Sequence, residues 1–430
     1  MAPTGQILLF GDVHVDKLSA LKTLFSHSQT HPQLRDFLRS ACDVIQCQIS
    51  TLLPAERGVF GRFDDLLELG ERYAKEEFPD EMVSYVLITT IQVGDLLLHK
   101  STENNNNTHH LGLCIGLLAA SVAAVASDTS EIAKLGTEII AISLRLGVAI
   151  RRRSRCIEDT NKSWGCTLFG LEFWDLEKKL EEFNKVSRNC KFQVDNKDTD
   201  LRSLLQNFPK PRWAYAGVST KSWTTIFGPP STLENLRTAI DVPNKLLTSA
   251  IAAHASHLVQ LDIPLILGNS PILGSALPRK SLLVSISTGL PYPAVSLREL
   301  LHAIVDDIAH KPMWIDKTVE GLASIISPDR DSEIVLTTLG PCSHAGMVQK
   351  ILAPFFSAVN ISALTGSHEG SDTANSRGIS NDIAVIGMSG RFPSAEDVEE
   401  FWEVLQAGKT SHETVIFSYT HATLMQTNTY

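Results

Sequence analysis

Residues 109–121 read HHLGLCIGLLAAS, which places Cys114 between two glycines at the start of an apolar run. The pattern Gly-x-Cys-x-Gly is typical of a nucleophile elbow, a sharp turn between a short strand and a helix. The residues two before and two after the nucleophile must lack a Cβ, and Gly112 and Gly116 meet that requirement. The pattern predicts a helix that starts at Ile115 and a reactive side chain at the turn.

A helix starting at Ile115 would direct unpaired N–H groups and a partial positive charge at the sulfur of Cys114. Both effects favour the thiolate over the thiol and prepare a site for an oxyanion. A second interpretation stays open on the pattern alone. Buried cysteine is commonly a small apolar residue, and the run from Leu111 to Ala126 would also serve as a core helix.

Composition indicates an ordinary globular protein with one large domain or two of medium size. The chain has 430 residues, of which 43% are hydrophobic and 20% charged, so it is long enough to bury a large core. The net charge of -10 argues against nucleic-acid binding. The basic run Arg151-Arg152-Arg153-Ser154-Arg155 is interpreted as a solvated helix end, with an acidic partner as the less favoured alternative.

The seven cysteines are scattered without Cys-x-x-Cys pairs, which indicates neither a disulfide framework nor a zinc site. A reducing, intracellular setting fits this usage best. The N-terminus lacks the basic and apolar regions of a signal peptide, and the run after Leu111 is shorter than the ~20 residues of a membrane span. We therefore expect a cytoplasmic protein that is not inserted in a membrane.

The pattern along the chain predicts an α/β fold with a parallel sheet and a small inserted α+β subdomain at about residues 156–250. The loops after parallel strands tend to form active sites. The predicted elements are a first buried strand at Gln6–Phe10, mostly helices from Leu18 to Leu98, a helix at Leu171–Phe183, strands at Trp213–Val218 and Trp223–Phe227, a helix from Ser231, a strand-like run at Leu282–Ile286, a helix at Ser296–Ala309, and a last strand and turn at Ile334–Pro341 before a closing helix.

Five motifs occur in an order that resembles the starter-unit acyltransferase (SAT) domain at the front of fungal non-reducing polyketide synthases. They are ILLFGD at 7–12, GLCIG at 112–116, IFGPP at 226–230, HASHL at 254–258 and IVDDI at 304–308. The resemblance covers residues 1–360 and implies an acyltransferase-type fold whose small subdomain is ferredoxin-like.

The remainder resembles the start of a different domain. Residues 361–381 are rich in small polar residues and are interpreted as a flexible linker. Residues 382–415 resemble the N-terminal piece of a β-ketoacyl synthase domain, and the atypical tail 416–430 is expected to be disordered. Because this fragment is too small to bury a core of its own, we expect a truncated gene model or an early stop in a longer synthase.

The resemblance implies a mechanism in polyketide biosynthesis. Cys114 would accept an acyl group from acyl-CoA or from a carrier protein of a fatty acid synthase, and His254 would act as its general base. The acyl group would then pass to a phosphopantetheine thiol on an acyl carrier protein. No permanently bound cofactor is expected, since the phosphopantetheine arm comes from coenzyme A or the carrier.

The resemblance also implies backbone donors for the oxyanion, namely the N–H of Ile115 and one near Val13. The family usually reads Gly-Asp-Gln-Thr after the first strand, whereas this chain reads Gly11-Asp12-Val13-His14. A backbone donor survives that change, but a glutamine side-chain donor does not.

Several alternatives remain open at the level of sequence. The same elbow and histidine would make a thioesterase if water reached the acyl-enzyme, and a truncated chain could be an inactive remnant. His254 and His257 could be metal ligands, although no nearby carboxylate or cysteine completes a site, and no metal is expected. Related malonyl transferases pair an arginine with the substrate carboxylate, whereas Arg145 is interpreted as structural.

Overall fold

The main sheet forms around β1 (Gly5–Phe10), a strand whose six residues are all buried. We describe the fold from a computed structural model of the chain. The residues it describes are 5–11, 16–76, 79–102, 107–171, 173–189, 212–240, 242–247, 251–278, 282–326 and 332–363. All of them belong to one compact unit, Met1–Ser367.

Three further strands complete the main sheet: β2 (Thr108–Gly112), β8 (Glu333–Leu339) and β9 (Ala358–Ala363). The four strands are parallel and lie in the order β2-β1-β8-β9. Phe10 is in register with both Gly112 and Leu339, so β1, β2 and β8 end at the same edge. The turns that follow these three strands therefore meet, as the prediction of a parallel sheet requires.

Helices fill the stretch that the sequence predicts to be helical and cover the sheet. They are α1 (Lys17–Ser28), α2 (Pro32–Ser50), α3 (Pro54–Phe60), α4 (Leu66–Tyr73), α5 (Glu81–Thr102), α6 (Gly116–Val125) and α7 (Thr129–Ile157). The apolar α5 packs against α2, α6 and α7 and contacts β8. Its segment Glu81–Lys100 is long and apolar enough to cross a membrane, yet it is wholly buried in the protein, as expected of a core helix.

The small subdomain has the order βαββαβ, in which the predicted helix, two strands and helix lie between a first and a last strand that were not predicted from the sequence. It comprises β3 (Gly165–Phe169), α8 (Phe173–Asn189), β4 (Tyr215–Ser219), β5 (Trp223–Phe227), α9 (Pro230–Ala239) and β6 (Asn244–Leu246). The strand order β6-β3-β5-β4 is the ferredoxin-like arrangement. A separate apolar cluster, which includes Leu176, Ile226 and Leu236, gives the subdomain a core of its own.

The chain after β6 returns to the main sheet and also extends the small one. Its helices are α10 (Ile263–Leu267), α11 (Leu297–His310), α12 (Ile315–Ile326) and α13 (Ala345–Leu352). The short strand β7 (Met313–Trp314) pairs in parallel with β4. The smaller sheet thus takes a fifth strand from outside the predicted range of 156–250.

Three predictions about the fold are wrong. Leu282–Ile286 is not a strand: it makes a single bridge from Val284 to Pro291, and its apolar side chains are buried in irregular backbone. β8 is not the last strand, because β9 follows it and crosses the boundary predicted at residue 360. Arg151 and Arg153 are buried and not solvated.

The described residues end at 363. They therefore exclude the rest of the predicted linker at 361–381, the ketosynthase-like piece at 382–415 and the tail at 416–430. The predicted donor near Val13 also lies outside them, since the description stops at Gly11 and resumes at Asp16.

Candidate active site

The turn that holds Cys114 follows β2 directly. Cys114 has a φ of 51°, a left-handed value uncommon for a residue with a side chain. The Leu113 N–H donates to the Phe10 carbonyl at 3.0 Å, and the Gly116 N–H donates to the Leu113 carbonyl at 3.0 Å. The helix begins at Gly116 with Ile115 as its N-cap, one residue later than predicted. The strand, turn and helix of a nucleophile elbow are all present.

Both elbow glycines lie where a side chain would collide with backbone. A Cβ on Gly112 would come within 2.6 Å of the backbone nitrogen and Cα of Leu117. A Cβ on Gly116 would collide with the carbonyl oxygen of Phe10. Close approach of β1, β2 and α6 therefore explains why both positions hold glycine.

The structure brings Cys114 and His254 together from positions 140 apart in the sequence. The Sγ of Cys114 lies 3.4 Å from Nε2 of His254. The other ring nitrogen, Nδ1, lies 2.9 Å from the carbonyl oxygen of Lys311. Because a carbonyl only accepts hydrogen bonds, Nδ1 carries the proton and the lone pair of Nε2 faces the thiol. This is the tautomer that a general base requires.

Burial keeps the His254 ring neutral. The residue is 2% exposed, and this desolvation lowers the pKa of the imidazole below its ordinary value of 6.5. The backbone carbonyls of Lys311 and Asp307 oppose that lowering. A neutral imidazole next to a half-buried thiol is therefore present at pH 7.

The segment carrying His254 is fixed to the end of α11. The His254 N–H donates to the Ile308 carbonyl at 2.9 Å, and the Ala255 N–H donates to the Ala309 carbonyl at 3.1 Å. His254 itself has a φ of 56°. In the described part of the chain, Cys114 and His254 are the two residues other than glycine with positive φ, and such strain tends to cluster at functional sites.

A buried carboxylate on α11, Asp307, supports this arrangement, although its role was not predicted from the sequence. Asp307 is 1% exposed and accepts hydrogen bonds from Ser285 at 2.5 Å and Tyr292 at 2.7 Å. The ammonium of Lys311 lies 2.9 Å from its other oxygen. Asp307 thus holds the residue whose carbonyl orients His254. Asp307 belongs to the motif IVDDI at 304–308, which carries part of the family resemblance. That motif was the one signal in the sequence that pointed to this residue.

The two predicted oxyanion donors differ in what the structure shows. The N–H of Ile115 lies at the start of α6 and makes no hydrogen bond to any described residue, so it is available to a ligand beside Cys114. Val13 lies outside the described residues. The preceding Gly11 is held by Gln92 of α5, whose side-chain amide donates to the Gly11 carbonyl at 3.0 Å.

Cys114 and His254 line a cleft of about 510 Å³, a size usual for small-molecule sites. Its walls come from the small subdomain, from β7 and α12, and from α13. Most of the lining side chains are apolar, among them Val218, Trp223, Phe227, Met313 and Met347. The polar lining residues include Glu81, Lys245 and His344. An apolar chain attached to the sulfur of Cys114 has room in this cleft.

Two other candidate residues from the sequence, Arg145 and His257, lie outside the reactive centre. Arg145 donates to the carbonyls of Ile266 at 2.6 Å and Leu267 at 3.0 Å, which confirms its structural interpretation. His257 places its ring edge-on to Tyr215, with ring centroids 4.6 Å apart. In the described residues no group of three potential metal ligands forms around His254 and His257.

Comparisons with known proteins assign the family. A family model described as "Starter unit:ACP transacylase in aflatoxin biosynthesis" matches residues 8–193, and one for the N-terminal domain of β-ketoacyl synthases matches residues 380–422. Ascochitine biosynthesis cluster protein 8 of Didymella fabae is 33% identical over 358 residues, which cover 81% of this chain and 89% of that protein. This chain belongs to the starter unit:ACP transacylase (SAT) family.

The SAT chain is also similar to part of two larger proteins. A non-reducing polyketide synthase of Menisporopsis theobromae is 32% identical over 427 residues, covering 96% of the chain but 18% of the synthase. A second non-reducing polyketide synthase, from Aspergillus ustus, is 30% identical over 420 residues, which cover 95% of the chain and 19% of that synthase. The SAT chain thus spans about a fifth of the length of these synthases, and its ketosynthase-like end is part of the match.

The fold agrees with that assignment. The malonyl CoA-acyl carrier protein transacylase of Coxiella burnetii superimposes with a TM-score of 0.54 at 12% identity, covering 84% of the SAT chain and 94% of the transacylase. The homologous enzyme of Mycobacterium tuberculosis gives a TM-score of 0.51. These neighbours confirm the predicted α/β acyltransferase fold, and membership of the SAT family identifies the chain as an acyltransferase.

Proposed function

We propose that the SAT chain transfers an acyl starter unit between two thioesters through an acyl-enzyme on Cys114. The observation that carries the proposal is the 3.4 Å approach of the Cys114 thiol to a ring nitrogen of His254 that is free to accept its proton. The strained turn at Cys114 and the open Ile115 N–H support the same assignment. Family membership supports acyl transfer in polyketide biosynthesis.

In the first half-reaction, Cys114 attacks the carbonyl carbon of the donor thioester while Nε2 of His254 takes the thiol proton. The oxyanion that forms accepts a hydrogen bond from the N–H of Ile115, with the loop after β1 as the second proposed donor. The carbon–sulfur bond to the donor then breaks. His254 gives the proton to the departing thiolate, and the acyl group remains on Cys114 as a thioester.

The second half-reaction reverses these roles. The thiol of a phosphopantetheine arm gives its proton to His254 and attacks the acyl-Cys114 carbonyl, and Cys114 leaves as the thiol. One thioester replaces another, so the free-energy change is small and the main competing reaction is hydrolysis. The apolar walls of the cleft limit the access of water to the acyl-enzyme.

The cleft favours an uncharged acyl chain. Its walls near Cys114 are apolar, and Arg145, the arginine that the sequence offered for a carboxylated substrate, is committed to backbone carbonyls. We propose an acyl-CoA or an acyl carrier protein, including one of a fatty acid synthase, as the donor. An acyl carrier protein would be the acceptor, and the cytoplasm the compartment.

The test is intact-mass spectrometry of the 430-residue chain after exposure to acetyl-, hexanoyl- and octanoyl-CoA. Wild type should gain one acyl group, Cys114→Ala none, and His254→Ala an adduct that forms at least about 100-fold more slowly, as expected for loss of a general base. Addition of a carrier protein bearing phosphopantetheine should move the acyl group to the carrier.

A matched control is Cys47→Ala, which removes an exposed thiol and should leave the acylation unchanged. Release of free acid faster than transfer to the carrier would replace the proposal by a thioesterase. An adduct that persists in Cys114→Ala would reject Cys114 as the nucleophile, and no adduct with any donor would indicate an inactive chain.

A further inference from the structure

Arg153 lies on α7 and is 9% exposed, which is unusual for an arginine that has no carboxylate partner among its described hydrogen bonds. Its guanidinium donates to three backbone carbonyls: to Ala252 at 2.8 Å, to Ala309 at 3.0 Å and to Val259 at 3.2 Å. Its neighbours in the basic run behave differently. Arg151 pairs with Asp80 and Arg152 with Glu56.

The carbonyls that Arg153 joins belong to the two segments that fix His254. Ala252 lies two residues before His254, and Ala309 lies two residues before Lys311, whose carbonyl orients the ring. The Ala309 carbonyl also accepts from the N–H of Ala255. One rigid fork therefore holds together the segment that carries the imidazole and the segment that sets its tautomer.

We propose that Arg153 is a positioning residue for His254, which keeps Nε2 at the Cys114 thiol by joining the 252–259 segment to the end of α11. This inference rests on the proposed function, because it assigns Arg153 to the geometry of the same dyad. It also gives Arg153 a role in setting the protonation state of the ring.

The positive charge of Arg153 lowers the pKa of His254, in the same direction as the larger effect of burial. The charge on Asp307 acts in the opposite direction. Removing the guanidinium therefore raises the pKa of the imidazole and moves the acidic limit of activity to higher pH. The other titratable groups that line the same cleft are those of Cys114, Glu81, Tyr85, Lys245 and His344.

The experiment compares Arg153→Met, Arg153→Lys and wild type, with Arg152→Met as the matched control. Arg152 lies next in the chain and its loss also removes a bidentate partner of a buried carboxylate, Glu56, but it contacts no part of the site. The probe is p-nitrophenyl acetate, an activated ester. The measurements are the rate and KM of Cys114 acetylation between pH 5 and 9, together with thermal unfolding.

Arg153→Met should acetylate about 10- to 100-fold more slowly at saturation with little change in KM, since a displaced base affects the chemical step. Its acidic midpoint should rise above the wild-type value, because the positive charge that lowers the pKa of His254 is gone. Arg153→Lys keeps the charge but not the fork, so its midpoint should stay at the wild-type value while its rate lies between the two. Arg152→Met should lose thermal stability and keep both the wild-type rate and midpoint.

A wild-type rate and midpoint in Arg153→Met would overturn the proposal, as would a rate loss of equal size in Arg152→Met. If Arg153→Met does not fold, a wild-type rate in Arg153→Lys would overturn it as well. The probe separates this inference from the proposed function. If Cys114 reacts with p-nitrophenyl acetate but with no acyl thioester, the proposed function is rejected. The rates with p-nitrophenyl acetate would still show whether Arg153 positions His254.

Discussion

Cys114 and His254 share a backbone conformation that costs free energy, on the order of 1 kcal/mol or more for each residue with a side chain at positive φ. The surrounding structure enforces both conformations. The close approach of β1, β2 and α6 constrains the turn at Cys114, and hydrogen bonds to Ile308 and Ala309 constrain the segment of His254. In these strained conformations the Cys114 thiol and the His254 imidazole are already in contact without a bound ligand.

The first prediction concerns the pH dependence of acylation. Because burial lowers the pKa of His254 below 6.5, the neutral base should persist at more acidic pH than for a free imidazole. The rate of acylation of Cys114 should fall only below pH 6.5 as the ring gains a proton. A pH–rate profile with acetyl-CoA tests this, and an acidic midpoint above 6.5 would contradict it.

The second prediction concerns the elbow glycine on the helix side. Gly116→Ala should reduce acylation at least about 100-fold, because the new methyl group collides with the Phe10 carbonyl and displaces the turn. The matched control is Gly58→Ala in α3, where an added Cβ meets nothing within 4 Å. That control should keep full activity and gain up to about 1 kcal/mol of stability. Equal activity in the two variants would show that the turn tolerates a side chain.

At the scale of elements, α5 connects the core to the loops around the site. Its Gln92 donates to the Gly11 carbonyl after β1, and its Asp95 accepts a 2.7 Å hydrogen bond from the N–H of Gly340 after β8. These two contacts fix Gly11 and Gly340, which directly follow β1 and β8 at the sheet edge where the elbow lies. The sequence predicted that this stretch is helical, whereas the polar contacts of α5 with Gly11 and Gly340 were revealed only by the structure.

The third prediction concerns Asp95, whose burial raises the pKa of its carboxyl to about 7. The folded state therefore holds a proton that the unfolded state releases at a pKa near 3.8. The resulting stabilisation is complete below about pH 3.8 and is lost as the pH rises to about 7. Asp95→Asn keeps an oxygen acceptor for Gly340 and should remove this pH dependence. Denaturant unfolding at several pH values measures it, and an unchanged slope in Asp95→Asn would exclude Asp95 as its source.

At the scale of the whole molecule, the cleft depends on two parts of the chain with separate cores. The parallel-sheet part supplies Cys114, and the small subdomain supplies walls such as Val218 and Phe227. The width of the cleft is thus set where the two parts pack, and the choice of acyl chain is expected to depend on side chains of the subdomain.

The fourth prediction concerns this wall. Val218→Phe should narrow the cleft and lower kcat/KM for octanoyl-CoA by at least about 10-fold relative to acetyl-CoA, as expected when a bulky group fills an apolar pocket. The matched control is Val295→Phe, the same substitution at a residue that is 74% exposed and does not line the cleft. A constant ratio of the two substrates in Val218→Phe would place the acyl chain elsewhere.

The sequence by itself determined the features that depend on local pattern. The glycine spacing around Cys114 predicted the elbow, the apolar run at 6–10 predicted a buried first strand, and the alternation of elements predicted a small α+β subdomain. Order along the chain also identified the family. These features follow from steric demands and periodicity that a short window of residues contains.

Only the tertiary structure decided the contacts between distant segments. Three such contacts are those of Cys114 with His254, of His254 with the Lys311 carbonyl, and of the Arg153 guanidinium with backbone carbonyls. No local sequence pattern predicts them, because every residue has a backbone carbonyl and only the fold decides which one is nearby. For the same reason the basic run at 151–155 was misread as solvated. An arginine is buried when distant chain supplies acceptors for its donors, and that supply is a property of the folded chain.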